Sequence, residues 1–256
     1  MNYLDAFILG LIQGFSEWLP ISSSGHLVLA QEIFNIKANA EFDIIIMGGT
    51  TLALIIYFRK KIFSILEGII KKQKDSIEYV KYLLIGGFIT AIVGFPLKSL
   101  FKSFFYSPAL VAIFLIINGF YILIASSIKT KKRQLNSLIA AFVGLAQGIA
   151  IAPGISRSGA TISSAILLGV DKTAAAQFSF LLGIPSMLVA SLIEFLELKP
   201  LQTGLDIYFV GFLAAFIAGY LSIDFFMKII KKEKYNLFGY YCILVGIIAY
   251  FLVIKA

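Results

Sequence analysis

Gln13-Gly-Phe-Ser-Glu-Trp-Leu-Pro-Ile-Ser-Ser-Ser-Gly-His26 places a carboxylate, four hydroxyls and the chain's only histidine between two apolar runs. Pro20 and the Ser22–Gly25 cluster break the helix that the flanking residues would otherwise form. About half a chain later, Gln147-Gly-Ile-Ala-Ile-Ala-Pro-Gly-Ile-Ser-Arg-Ser-Gly159 repeats the pattern, with its break at Pro153-Gly154. Each apolar stretch, Tyr3–Phe34 and Ser137–Val170, therefore reads as two half-length helices joined by a polar turn. Irregular backbone at membrane depth is tolerated only where protein or a water-filled cavity surrounds it. Re-entrant hairpins, entering and leaving on one face, satisfy that condition.

The composition makes membrane depth the right frame. Of the 256 residues, 59% are hydrophobic and 14% charged, and the mean hydropathy is +0.93. Ordinary soluble domains carry about 25% charged residues. Six further segments are long enough to span, since a spanning helix needs about 20 mainly apolar residues. They are Phe42–Phe58, Tyr79–Leu97, Phe105–Ser127, Thr173–Phe195, Ile207–Met227 and Asn236–Ile254. The net charge of +8 does not point to nucleic acid, because the basic residues fall in blocks at the ends of apolar segments. Cys242 has no partner for an intramolecular disulfide and excludes a multi-cysteine zinc site. The stretch Met1–Leu11 lacks the basic region of a signal peptide and is expected to belong to the mature fold.

Basic blocks orient the spans. Arg59, Lys60, Lys61, Lys71, Lys72, Lys74 and Lys81 follow the first span, Lys129, Lys131, Lys132 and Arg133 the third, and Lys228, Lys231, Lys232 and Lys234 the fifth. The positive-inside rule puts these connections on the cytoplasmic side. The opposite side keeps only Lys37, Lys98, Lys102, Lys199 and Lys255. The first hairpin must then dip in from the outer face and the second from the cytoplasmic face. Shifted by half the chain, Gly10, Leu11, Gln13, Gly14, Ile21, Ser22, Ser24, Gly25 and Gly49 meet identical residues at Gly144, Leu145, Gln147, Gly148, Ile155, Ser156, Ser158, Gly159 and Gly183. With three spans per half, the copies are related by inversion, an arrangement that builds sites from broken helices at the repeat interface. The expected fold is an all-α integral membrane protein: one membrane domain over 1–256, with six transmembrane helices and two re-entrant helical hairpins in an inverted-topology repeat (approximately 1–134 and 135–256).

The turns hold the chemistry. An intramembrane carboxylate such as Glu17 lines a cavity, pairs with a cation or binds a metal; the alternative is a side chain snorkelling at the outer interface beside Trp18. One of Ser22, Ser23 and Ser24 is expected to cap the following helix, whose N-terminus offers free N–H groups to an anion. His26 is either a hydrogen-bonded structural residue or part of a Ser–His or His-nucleophile arrangement. Arg157, flanked by Ser156, Ser158 and Thr161, suits a phosphate or pyrophosphate; its alternative is a salt bridge to Glu17 across the repeat interface. Asp43, Asp171, Glu194 and Glu197 lie near span ends, where capping or solvated roles are the default. No GxxxxGK[ST] loop is present, so a nucleotide site is not expected.

These motifs, Gln13-x-x-x-Glu17 with Pro20-Ile-Ser-Ser-Ser-Gly-His26 and Pro153-Gly-Ile-Ser-Arg-Ser-Gly-Ala-Thr161, resemble those of the undecaprenyl-diphosphate phosphatases, or bacitracin-resistance proteins, over essentially the whole chain. The resemblance implies a multi-pass enzyme of the cell membrane that hydrolyses a C55 polyprenyl diphosphate to the monophosphate and inorganic phosphate, recycling the carrier for cell-wall synthesis. It further implies a divalent metal (Mg²⁺ or Ca²⁺), an active site facing the outer side, and a homodimer. It places functional residues at Glu17, Ser22, Ser23, His26, Ser156, Arg157 and Thr161. Glu17 is the expected metal ligand, Ser23, His26 or a water the nucleophile, and Arg157 with Ser22, Ser156, Ser158 and Thr161 the grip on phosphate. The family's first acidic position is Gln13 here, which leaves Glu17 as the only carboxylate in the motif. The competing class is an inverted-repeat transporter or flippase of lipid phosphates, which would need the same anion pocket.

Overall fold

The computed structural model describes residues 1–129, 133–196 and 204–255. Lys131, Lys132, Glu197 and Lys199 lie outside the described residues. The first broken stretch folds as α1 (Tyr3–Trp18) and α2 (Ser23–Phe34), followed by α3 (Ala40–Tyr57), α4 (Arg59–Ile70), α5 (Lys74–Phe104) and α6 (Pro108–Ser127). The second broken stretch folds as α7 (Ser137–Ile149) and α8 (Arg157–Leu167), followed by α9 (Lys172–Leu196), α10 (Leu205–Lys231) and α11 (Asn236–Lys255).

Local chemistry sets the ends. Asn2 and Asp5 form a reciprocal capping box on α1. Asn39 and Asn136 cap α3 and α7 through their side chains. α2 ends on Asn35 in the left-handed region at φ 50°, the conformation that closes many helices. Pro20 and Pro153 sit in the two breaks where the sequence places them. Gly154 adopts φ +91° against the Val111 carbonyl, where a side chain would be strained and would have no room.

Helices α3, α5, α6, α9 and α10 are long and apolar enough to cross a bilayer, over Ala40–Tyr57, Lys74–Phe101, Pro108–Ser127, Lys172–Ile193 and Leu205–Lys231. The sixth expected span corresponds to α11, a 20-residue helix that is apolar over Asn236–Leu252. One element departs from the expectation. Residues 59–70, read above as a basic connection, form α4, with Ile65 and Gly68 buried and Phe63, Leu66 and Ile70 exposed. The charges at its start and just beyond its end obscure a twelve-residue amphipathic helix.

Small residues let the half-length helices approach long ones. Gly10 and Gly14 of α1 lie against Gly211, Ala214, Ala215 and Ala218 of α10, while Gly144 and Gly148 of α7 lie against Gly86, Thr90 and Val93 of α5. In each pair a hydroxyl bonds a glycine carbonyl: Ser222 Oγ donates to Gly14 O (3.0 Å) and Thr90 Oγ1 to Gly144 O (3.0 Å). Close backbone approach through glycine is how helices pack where apolar burial gives no advantage over lipid. It carries the broken ends of α1 and α7 into the interior, beside α3 and α9. Trp18, at the end of α1, is fully buried. Its indole N–H donates to Thr50 O (3.2 Å) and its ring meets Phe180 edge-on. Trp18 is therefore a core residue, which goes against the interfacial alternative for Glu17: a neighbouring polar carbonyl and an aromatic wall satisfy both parts of the indole.

Candidate active site

The two turns meet. Ser22 caps α2, accepting from Gly25 N (3.3 Å), and Ser156 caps α8, accepting from Gly159 N (3.1 Å). In both turns a second serine hydroxyl joins the first, Ser24 to Ser22 (3.3 Å) and Ser158 to Ser156 (3.1 Å). Ser158 Oγ donates across to Leu19 O (3.1 Å). Asn118 of α6 bridges both turns, donating to Pro20 O (3.1 Å) and accepting from Ser156 N (3.2 Å). Ser22 holds this geometry at φ 68°, ψ 95°, outside the regions that a non-glycine residue prefers. Such strain persists only where the surroundings over-determine it; here the cap, the Ser24 hydroxyl and two bonds to its carbonyl do so.

Glu17 lies at the centre. Its Oε1 accepts from Arg157 Nη2 (2.9 Å), and its Oε2 accepts from Ser23 Oγ (2.5 Å) and Gln13 Nε2 (3.1 Å). The Arg157 and Glu17 side chains are 15% and 10% exposed, so the charges are largely withdrawn from water and need each other. The guanidinium sits over the Trp18 ring, 4.9 Å from its centroid, and Nη2 also reaches Met187 Sδ (3.3 Å). The ion pair uses one guanidinium nitrogen. Arg157 Nη1 is buried, close to Gly183, and among the described residues makes no hydrogen bond. A buried donor without a partner is rare enough to require a reason, and a guanidinium N–H is suited to take an anion's oxygen.

The remaining expected residues divide by position. His26 does not join Ser23: its Nδ1 lies 2.8 Å from Ser22 O and its Nε2 2.9 Å from the Tyr241 hydroxyl. Thr161 is fully buried and bonded to Arg157 O (2.8 Å) and Ser179 Oγ (2.6 Å). Ser156 and Ser158 are buried as well. Thus Glu17, Ser23 and Arg157 come together directly, while Ser22, Ser156, Ser158 and Thr161 build the turns that hold them. Asp171 caps α9 through Thr173 N (3.0 Å) and Ala174 N (3.2 Å), and Asp43 stands in the first turn of α3. Asn118, Tyr241 and Met187 escaped sequence reasoning. Asn118 left one signal, an amide inside an apolar run, which is costly there without partners.

Among the described residues, no three His, Cys, Asp or Glu side chains cluster as a metal site would require. The one carboxylate present already faces a guanidinium. The donor set therefore does not make a protein-only site for a divalent ion, and any such ion needs further oxygens from what it binds with.

Comparison with known proteins decides the family. A model of the bacitracin resistance protein BacA family matches residues 6–248. The chain belongs to the BacA family. Relatives of this family member include proteins named undecaprenyl-diphosphatase. That of Carboxydothermus hydrogenoformans is 42% identical over 257 aligned positions, covering 96% of each chain. Those of Korarchaeum cryptofilum and Methanosphaera stadtmanae are 41% and 37% identical, covering 96% and 97% of this chain and 98% and 97% of their own. Family membership and the apolar helices together make this a multi-pass membrane protein.

Proposed function

We propose that the chain hydrolyses undecaprenyl diphosphate to undecaprenyl phosphate and inorganic phosphate, and so returns the lipid carrier to cell-wall synthesis. Full-length similarity to undecaprenyl-diphosphatases supports the activity. The observation that carries the mechanism is the Ser23–Glu17–Arg157 constellation at the mouth of α2. Arg157, through Nη1 and then Nη2, takes oxygens of the terminal phosphate, and that exchange releases Glu17 from its ion pair. Ser23 Oγ attacks the terminal phosphorus as its proton passes to Glu17 Oε2, 2.5 Å away. The bond from phosphorus to the bridging oxygen breaks, and the lipid monophosphate leaves with that electron pair. Water then attacks the phosphoserine, giving inorganic phosphate and restoring the Ser23 hydroxyl. The free N–H groups at the start of α2 face the charge that accumulates on the phosphoryl oxygens.

A divalent ion, Mg²⁺ or Ca²⁺, is proposed to enter with the diphosphate, held mainly by the substrate's own oxygens with Glu17 as the single anionic protein ligand. Bound there it would neutralise charge on the diphosphate. The expected result is phosphate release from a polyprenyl diphosphate by the purified chain with either metal, stopped by a chelator. Titration calorimetry should show negligible binding of the metal to the protein alone. No release under any divalent metal would refute the phosphatase reading.

For topology, we propose six membrane-crossing helices (α3, α5, α6, α9, α10, α11), with α1–α2 and α7–α8 as hairpins that dip from opposite faces and an inverted repeat of roughly 1–134 and 135–256. The matched glycine packing of α1 on α10 and α7 on α5 supports the repeat. The basic connections support a cytoplasmic face opposite the first hairpin, so that the site opens outward. A membrane-impermeant thiol reagent should label a cysteine at position 98 from outside and one at position 129 only after the membrane is opened. Labelling of both from one side would refute the inversion.

A further inference from the structure

We propose that Tyr241 is a positioning residue for the reaction: it clamps His26 as a neutral, Nδ1-protonated imidazole whose Nε2 lone pair faces α11. The Ser22 carbonyl can only accept, so the 2.8 Å contact requires the proton on Nδ1. In the neutral ring Nε2 is then an acceptor, and the Tyr241 hydroxyl 2.9 Å away donates to it. The two ring planes are within 8° of parallel, with centroids 5.6 Å apart. His26 is thus fixed at both nitrogens, with the tyrosine ring lying beside it and nearly parallel to it. The partner at Nδ1 is the carbonyl of the strained turn residue Ser22, which also caps α2. Tyr241 consequently reaches the turn that presents Ser23, although it stands on the last helix of the chain and is 41% exposed.

The arrangement has a chemical consequence. A phosphate oxygen is itself an acceptor, so it can replace Tyr241 at Nε2 only with a proton between the two atoms. That proton comes either on a singly protonated phosphate or on the imidazole. Exchange of the tyrosine for the diphosphate therefore converts His26 from an acceptor to a donor or delivers an already protonated phosphate oxygen to it. Without the clamp, the ring is free to turn away from the Ser22 carbonyl. The inference rests on the phosphatase reading for its kinetic arm alone.

Because His26 is the chain's only histidine, the full chain carrying ¹⁵N-histidine in lipid nanodiscs presents a single imidazole. Its two nitrogens report protonation and hydrogen bonding separately. At mildly alkaline pH the unmodified protein should show Nδ1 protonated and Nε2 unprotonated and hydrogen-bonded. Tyr241→Phe keeps the aromatic ring and removes the hydroxyl. It should move the Nε2 resonance toward that of an unbonded ring nitrogen and lower kcat/KM by about 3–10-fold, the scale of one lost hydrogen bond. Tyr240→Phe, at the neighbouring and more exposed tyrosine, should change neither. A protonated Nε2 in the unmodified protein would overturn the proposal, as would a Tyr241→Phe variant whose Nε2 resonance or kcat/KM is unchanged. If the unmodified protein releases no phosphate, the phosphatase reading fails, while the Nε2 resonances still decide whether the clamp exists.

Discussion

Ser23→Ala is expected to lower the turnover of a polyprenyl diphosphate by at least about 10³-fold, the order seen when a nucleophile is removed and only binding remains. The serine is the first residue of α2, and its hydroxyl donates to Glu17 at 2.5 Å. It is half-buried, while the capping of α2 belongs to Ser22. The variant should therefore fold, with an unfolding midpoint close to that of the unmodified chain, and bind substrate with little change in KM. Steady-state phosphate release together with a thermal unfolding curve in detergent checks both halves. Turnover within about tenfold of the unmodified enzyme would remove Ser23 as nucleophile and leave attack by His26 or by water.

Arg157→Gln is expected to act on both stability and binding. It leaves the Glu17 carboxylate withdrawn from water with only Ser23 and Gln13 as partners, and breaking one side of a buried ion pair costs about 3–5 kcal/mol. Loss of charge-assisted bonds to the substrate should also raise KM by about 10²-fold. The two effects separate in a second variant. Glu17→Gln combined with Arg157→Gln removes both charges, so most of the lost stability should return while turnover stays low. Thermal unfolding of the two variants tests this. If the double variant is no more stable than Arg157→Gln, the ion pair does not hold the two turns together.

Much of this architecture is legible in the sequence because membrane folding rewards simple patterns. Pro20 and Pro153-Gly154 interrupt apolar runs that length alone would turn into helices, and the structure breaks α1 from α2 and α7 from α8 at those points. A cap on α2 is readable among Ser22, Ser23 and Ser24, because a hydroxyl before a helix has few other uses in apolar surroundings, and the structure gives that role to Ser22. Glu17 and Arg157 stand out through the cost of charge at such depth, and the pairing considered as an alternative for Arg157 is present. The place of Trp18 is not legible because an indole suits both an interface and a core, and only tertiary packing on Phe180 and Arg157 decides between them. Helix α4 is hidden by the same lysines that mark topology. Asn118, Met187 and Tyr241 lie far along the chain from the residues they touch, so no local spacing announces them.

The central claim is that the turns of the two hairpins form one catalytic unit through Glu17 and Arg157. A double-mutant cycle in kcat/KM tests it most directly, using Glu17→Gln, Arg157→Gln and the pair together. Residues that act as a unit lose most of their effect with the first substitution. The double variant should therefore fall within about tenfold of the worse single one. Losses that multiply, with the double variant reduced by the product of the two single effects, would mean that the residues serve separate sites and would contradict the account.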